Sequence, residues 1–221
     1  MPIREFAERA VDPHIVGFLH TTETPNGQGL ILTHGAGGNA QAPLLRALAD
    51  TFASAGCTVL RCTLPYRQAR SFGPPGPGDA ARDRAGLKNA VAAMKGMVKG
   101  RILLGGHSYG GRQSSMLCAE EPDLVAGLLL LSYPLHPPRR PEQQRTQHLP
   151  DLRTATLFVQ GTRDPFGSIE ELQQAIKMIP AKTKLLTVEG AGHDLGFKGK
   201  GKKEELAKQI VSEFTVFFAD L

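Results

Sequence analysis

The sequence predicts an α/β fold, a three-layer sandwich in which a mostly parallel sheet is covered by helices on both faces. Apolar runs typical of buried strands alternate along the chain with helical segments, and this alternation is typical of parallel sheets. The 221 residues suffice for one well-buried core. No charged or low-complexity linker divides them. We therefore expect a single domain over residues 1–221.

The first two predicted strands are residues 14–20 and 29–33. Between them lies Asn26-Gly27, and Asn-Gly is the strongest short signal for a β-hairpin. We therefore expect the first strand to pair with the second and to run antiparallel to it.

The remaining elements continue the alternation. They are helix 43–54, strand 57–63, helix 79–97, strand 101–104, helix 113–120, strand 125–131, strand 155–160, helix 169–178, strand 184–188 and helix 203–218.

Two irregular stretches rich in Pro and Gly, residues 65–78 and 133–150, interrupt this order, and each follows a strand. Loops at the carboxyl ends of parallel strands line the ligand crevice of open α/β sheets. We expect both stretches to wall the site, the alternative being that they are long surface connections. No inserted helical cap is predicted between strands 125–131 and 155–160, so the fold is expected to be a minimal form without a cap domain.

The composition indicates where the protein is located and whether it binds a metal. The first 18 residues show no signal peptide, and the longest apolar run, residues 125–131, is too short to span a membrane. Cys57, Cys62 and Cys118 lack metal-type spacing, which is typical of reduced thiols. We expect a cytoplasmic protein with no bound metal and no membrane partner.

The formal net charge of +5 arises mainly from one Gly-rich segment. Without its lysines, which are Lys198, Lys200, Lys202 and Lys203, the charge is +1. A single basic loop without interleaved aromatic residues is typical of a solvated segment. We expect no nucleic-acid partner, and a role for the segment in solubility or anion steering. The sequence leaves the oligomeric state open.

The most informative motif is Gly106-His107-Ser108-Tyr109-Gly110, which follows a predicted strand and precedes a predicted helix. A bare G-x-S-x-G can arise by chance in a chain with 25 glycines. The strand before it and the helix after it, however, are the context of a nucleophile elbow, where flanking glycines remove side chains that would collide with a strained turn. The motif predicts Ser108 as a nucleophile.

A serine hydroxyl needs a base in hydrogen-bond reach and a third group to orient that base. The base candidate is His193 and the acid candidate is Asp164, and each follows a predicted strand at the edge where Ser108 lies. The order Ser, Asp, His is that of the α/β-hydrolase arrangement. Asp194 follows His193 directly and cannot easily turn back to its ring. The alternative for Asp164 is a turn residue that binds nearby backbone amides.

The other polar candidates are given structural roles. His14 and His20 are expected on the surface or in packing, and His107 is expected to point away from Ser108. His136 and Arg112 are candidates for substrate binding, although packing or a surface ion pair is the favoured interpretation.

The oxyanion of an acyl-transfer intermediate needs two hydrogen-bond donors. One is expected to be the backbone amide of Tyr109, at the head of the helix after Ser108. The other is expected from the Gly-rich loop 33–38, with Ala36 as the donor and Gly35 as the alternative. The loop matches no phosphate-binding or dinucleotide pattern, and we expect no cofactor.

Together these motifs resemble the α/β-hydrolase superfamily, in particular its dienelactone-hydrolase-related branch and the group containing testis-expressed protein 30 and the hydrolase-like domain of the non-specific-lethal complex subunit 3. The similarity covers about residues 30–218. It rests on segments 33–37, 64–66, 106–112, 133–138, 159–167 and 192–193. It implies Ser108, Asp164 and His193 as nucleophile, acid and base.

The predicted function is a serine hydrolase that cleaves small acyl substrates, carboxylesters or related compounds, through an acyl-enzyme. Without a cap the site is expected to be open and shallow, which favours short esters. Two alternatives remain: the same three residues acting on thioester or amide bonds, and a non-catalytic interaction module with this fold.

Overall fold

The computed structural model describes residues 2–197 and 203–219, which form one eight-stranded sheet with helices on both faces. The strands are β1 (Ile3–Glu8), β2 (Ile15–His20), β3 (Gly29–Thr33), β4 (Thr58–Thr63), β5 (Ile102–His107), β6 (Gly127–Leu131), β7 (Thr156–Gly161) and β8 (Thr183–Val188). The helices are α1 (Pro43–Ser54), α2 (Pro65–Ala69), α3 (Asp79–Met97), α4 (Tyr109–Glu120), α5 (Ile169–Ile176) and α6 (Lys203–Phe217), with a short 3-10 helix at Leu149–Asp151. The predicted α/β class is confirmed.

The strand order is β1-β2-β4-β3-β5-β6-β7-β8, and the six strands from β3 to β8 are parallel. The predicted hairpin through Asn26-Gly27 is wrong, because β2 pairs antiparallel with β1 and β4 and not with β3. Asn26 binds the end of α1 instead: its backbone N–H donates to the Gly56 carbonyl over 2.8 Å. An Asn-Gly pair reports a turn, but the pairing of the flanking strands depends on distant residues.

Strand β1 has no counterpart in the sequence prediction. It lies at the sheet edge, and its side chains are mostly exposed. A strand of this kind lacks the apolar alternation by which strands are recognised.

Each central strand is buried on both faces. Leu128 and Leu130 of β6 belong to an apolar cluster that includes residues of α3 and α4, while Leu129 and Leu131 belong to one that includes residues of α1 and α6. Two apolar clusters therefore lie on opposite sides of the sheet, and this explains why the central strands read as continuous apolar runs.

Two boundaries near the elbow differ from the sequence prediction. Helix α4 begins at Tyr109, four residues earlier than predicted, and α2 lies within the stretch 65–78 that was expected to be irregular. Residues 132–155 are all described, and the 3-10 helix is the only helical element among them. No helical cap is inserted there.

The three cysteines are free, in agreement with the predicted reduced thiols. They are also buried, and burial raises the pKa of each thiol to about 12. In the two described ranges, every helix is too short or too polar to cross a membrane. Of the basic segment, Lys203 begins α6, whereas Lys198, Lys200 and Lys202 lie outside the described residues.

Candidate active site

Ser108 lies on the sharp turn between β5 and α4, with φ of 52° and ψ of −117°. Both flanking glycines are required by close packing. A Cβ on Gly106 would lie 2.8 Å from the Gly111 nitrogen, and one on Gly110 would lie 2.5 Å from the His34 carbonyl oxygen. The local sequence therefore permits the strained turn that the elbow motif predicts.

The structure brings together the three side chains that the sequence analysis singled out. His193 Nε2 lies 2.8 Å from Ser108 Oγ. On the other side of the ring, His193 Nδ1 lies 2.8 Å from Asp164 Oδ2 and 3.0 Å from Oδ1. The Asp164 side chain is fully buried and also accepts the Phe166 backbone N–H. When Nδ1–H donates to Asp164, Nε2 of the neutral imidazole is an acceptor for the serine hydroxyl.

Two aromatic neighbours hold His193 in place, and no sequence motif indicates this role for either of them. The Phe166 ring stacks on it with centroids 4.1 Å apart. His107 Nε2–H donates to the His193 carbonyl oxygen over 2.7 Å. His107 is thus not paired with Ser108 but fixes the loop that carries His193. The position of His107 directly before Ser108 could have indicated this role, because a side chain there can reach the loop that follows a neighbouring strand.

Burial lowers the pKa of His107 and of His34 to about 4. The hydrogen bonds of His34 explain why its neutral form is favoured. Its Nδ1–H donates to the Gly35 carbonyl, and its Nε2 accepts the Leu64 backbone N–H. A proton on Nε2 would place that N–H directly opposite the Leu64 N–H, and two donors repel each other. The His34 ring is therefore neutral near pH 7.

We expect the free energy of unfolding to fall as pH drops from about 6.5 to about 4. In that range the unfolded chain binds protons on His34 and His107, whose ordinary pKa is 6.5, while the folded protein does not. The contribution of the two neutral rings to the free energy of unfolding is therefore fully present above pH 6.5. It is lost as the pH falls towards 4, the pKa of both rings in the folded protein, by at most about 3 kcal/mol for each ring. Urea denaturation at several pH values measures it.

The matched variants are His34→Asn, which should make this pH dependence shallower while His107 still contributes, and His14→Asn, which removes an exposed ring and should leave it unchanged. Equal slopes for His34→Asn and the wild type would contradict the assignment.

Tyr109 and Ala36 both line the cavity that contains Ser108. Tyr109 is the first residue of α4, where backbone N–H groups have no intrahelical partner. The Gly35 carbonyl accepts hydrogen bonds from Gly38 N and His34 Nδ1. Because a trans peptide is planar, the Ala36 N–H points away from those donors. The expected pair of oxyanion donors is thus compatible with this geometry.

The loop carrying Ala36 is clamped by α2. Tyr66 OH donates to the Ala36 carbonyl over 2.8 Å, and Arg67 Nη2 donates to the same oxygen over 2.9 Å. Tyr66 is itself held by Asp83, which accepts its backbone N–H and whose pKa is raised by burial. Tyr66 lies in segment 64–66, one of the segments on which the family resemblance rests, whereas no motif in the sequence points to Arg67.

Ser108 opens into a cavity of about 590 Å³. Pro74 and Pro75 form one wall, and Pro134 and Arg145 form another, which confirms that both irregular stretches wall the site. Ser108 itself is only 8% exposed. The open, shallow site expected from the sequence stays a prediction. Within the described ranges, no cluster of three or more His, Cys, Asp or Glu residues could hold a metal ion.

The remaining polar candidates separate into two groups. His20 is buried beside Asp50 and Arg61, and His136 lies 3.3 Å from Glu171, so both have structural contacts away from the cavity. Arg112 and Asp194 line the cavity.

Solved structures share this fold at low sequence identity. A serine hydrolase homologue from Coxiella burnetii is 17% identical, with 95% of this chain and 96% of that chain covered and a TM-score of 0.76. Dienelactone hydrolase from Anabaena variabilis is 20% identical, with 97% of each chain covered and a TM-score of 0.73. Est1E from Butyrivibrio proteoclasticus is 16% identical, with 97% and 99% covered and a TM-score of 0.75.

The family model described as the alpha/beta hydrolase domain matches residues 26–219. The match spans β3 to α6 and so includes the elbow and the loops carrying Asp164 and His193. On this evidence, the chain belongs to the alpha/beta hydrolase domain family.

Proposed function

We propose that the protein is a serine hydrolase that cleaves small acyl substrates, carboxylesters or related compounds, through an acyl-enzyme. The observation that carries the proposal is the unbroken chain of hydrogen bonds from Ser108 Oγ through His193 to the buried carboxylate of Asp164. The serine at the start of this hydrogen-bond chain has a strained backbone conformation, which costs on the order of 1–3 kcal/mol. A non-catalytic module has no need of that strain.

In the proposed mechanism, Ser108 attacks the acyl carbonyl while His193 Nε2 takes its proton. His193 then gives the proton to the leaving group, and Asp164 holds the tautomer and stabilises the imidazolium. The amides of Tyr109 and Ala36 bind the oxyanion. Water repeats the cycle on the acyl-enzyme. No step requires a metal or an organic cofactor.

The cavity supports a small substrate. Its volume of about 590 Å³ lies in the range of ordinary small-molecule sites, and Leu44 and Leu45 provide apolar lining. These features suit a short acyl chain. The same machinery serves thioesters and amides, which stay as alternatives for the bond cleaved.

Three further assignments are part of the proposal. Within the family, the chain falls in the dienelactone-hydrolase-related branch, in the group of testis-expressed protein 30 and the hydrolase-like domain of the non-specific-lethal complex subunit 3. Similar sequence segments between residues 33 and 193 support this placement. It forms one domain over residues 1–221, and it acts in the cytoplasm without a nucleic-acid or membrane partner.

Labelling with a fluorophosphonate probe tests the proposal. The wild-type protein should be modified at Ser108, as located by mass spectrometry, because the probe reacts with serines activated by a base. His193→Ala should react far more slowly, whereas Ser54→Ala, which removes an exposed serine at the end of α1, should react like the wild type. A folded wild-type protein that is not labelled would instead favour the interaction module.

A further inference from the structure

Two arginines reach the same cavity as Ser108. Arg112 lies on α4 and Arg145 on the stretch between β6 and β7, and both are half-buried. They are close enough that the charge of Arg112, after burial, contributes to lowering the pKa of Arg145. Two cations therefore lie near each other at the wall of one partly buried cavity.

Neither guanidinium has a carboxylate partner among the residues that the structure describes. The arginine ion pairs there are Arg70–Asp79, Arg82–Asp12 and Arg84–Glu120.

The two arginine side chains have few polar partners, and the partner that the structure gives to Arg145 is a neutral carbonyl. Arg112 Nε is buried and has no hydrogen-bond partner in the described part of the chain. Arg145 Nη1 donates to the Pro134 carbonyl over 3.2 Å. Burying charge without a counter-charge is costly, and a bound anion would offset that cost.

The backbone holds both arginines in place. The Arg112 N–H donates to the Ser108 carbonyl over 2.9 Å, so Arg112 lies one helical turn from the serine, about 6 Å along the helix axis. Residues at this spacing lie on the same helix face. Arg145 is fixed by its N–H, which donates to the Leu135 carbonyl over 2.7 Å, and by its carbonyl, which accepts from Tyr133 OH.

We propose that Arg112 and Arg145 bind an anionic group of the substrate, a carboxylate or a phosphate, that lies a few bonds from the scissile carbonyl. This inference rests on the proposed hydrolase function and narrows its substrate class to anionic acyl compounds. A planar guanidinium offers paired N–H donors that match the oxygens of either anion.

Matched ester pairs test the inference. On the acyl side, p-nitrophenyl hemiglutarate is compared with p-nitrophenyl pentanoate, and on the leaving-group side 4-acetoxybenzoate is compared with 4-methylphenyl acetate. The wild-type protein should prefer the anionic member of at least one pair by about tenfold or more in kcat/KM, the effect of one hydrogen bond to a charged group. Arg112→Gln and Arg145→Gln should each abolish that preference.

Arg140→Gln is the matched control, because it removes an exposed arginine from the same stretch and should leave the preference unchanged. Hydrolysis of both members at equal rates, with Ser108 labelled by the fluorophosphonate, would overturn the anion site while the hydrolase function stands. Absence of both labelling and hydrolysis would count against the proposed function itself.

Calorimetric titration of the Ser108→Ala protein with glutarate and with inorganic phosphate tests the anion site without turnover and separates the two anions. Binding that is at least tenfold weaker in Ser108→Ala/Arg112→Gln supports the site. Equal binding by the two proteins, or no binding of either anion, overturns it.

Discussion

Ser108→Ala is expected to lower kcat for p-nitrophenyl butyrate by roughly 10⁵- to 10⁶-fold, since loss of the nucleophile removes the acyl-enzyme route and leaves only binding and oxyanion stabilisation. The hydroxyl lies 2.8 Å from His193 Nε2, and alanine keeps the Cβ in the tight turn. The fold should therefore survive. Steady-state kinetics on the purified variant, with urea unfolding as a check of stability, measures both effects.

Ser54→Ala is the control for this experiment, because the residue is exposed and far along the chain from the elbow. A Ser108→Ala protein that keeps more than about 1% of the wild-type kcat would place the hydrolysis at another group, since loss of a nucleophile costs far more than that.

Asp164→Asn is expected to lower kcat by roughly 10³- to 10⁴-fold. The carboxylate accepts the proton on His193 Nδ1 at 2.8 Å, whereas an amide can donate to that nitrogen. The imidazole would then carry its proton on Nε2, where it can no longer accept the serine proton. Because Asp164 Oδ1 accepts the Phe166 N–H, the asparagine oxygen can keep this bond and preserve the loop.

The adjacent carboxylate gives a matched comparison. Asp194 lines the cavity and its Oδ1 accepts the Gly196 N–H, so Asp194→Asn also neutralises one charge near Ser108. We expect its effect on kcat to stay below about tenfold, because it does not set the tautomer. A larger loss for Asp194→Asn than for Asp164→Asn would mean that the wrong carboxylate has been assigned to the imidazole.

For the two helices α1 and α3, the first and last residues predicted from the sequence agree with the structure. Helix α1 begins with Pro43 in its first turn, and its apolar residues recur on one face, so the start signal and the helical period agree. The bounds of α3, Asp79–Met97, also match the prediction. Local chemistry suffices for such elements.

Strand pairing was predicted less well, because it depends on residues far apart in the chain. Strand β2 pairs with β4, which follows it by about 40 residues, and no local pattern encodes that choice. The early start of α4 has a similar origin. Gly110 and Gly111 are poor helix formers, yet they are helical because Gly110 packs against Thr33 and His34 and Gly111 against Gly106.

The sequence by itself determined the α/β class and the order of every strand and helix except β1 and α2, because apolar strand runs alternate with helical segments along the chain. It also indicated Ser108, Asp164 and His193 as candidates, because each lies in a short motif after a predicted strand. Only the tertiary structure decided the contacts between loops: His107 against the His193 carbonyl, Arg67 against the Ala36 carbonyl, and Arg145 beside Arg112. The reason is physical. A motif fixes the backbone of a few neighbouring residues, whereas the surroundings of a side chain depend on which distant segments the sheet brings to the same edge.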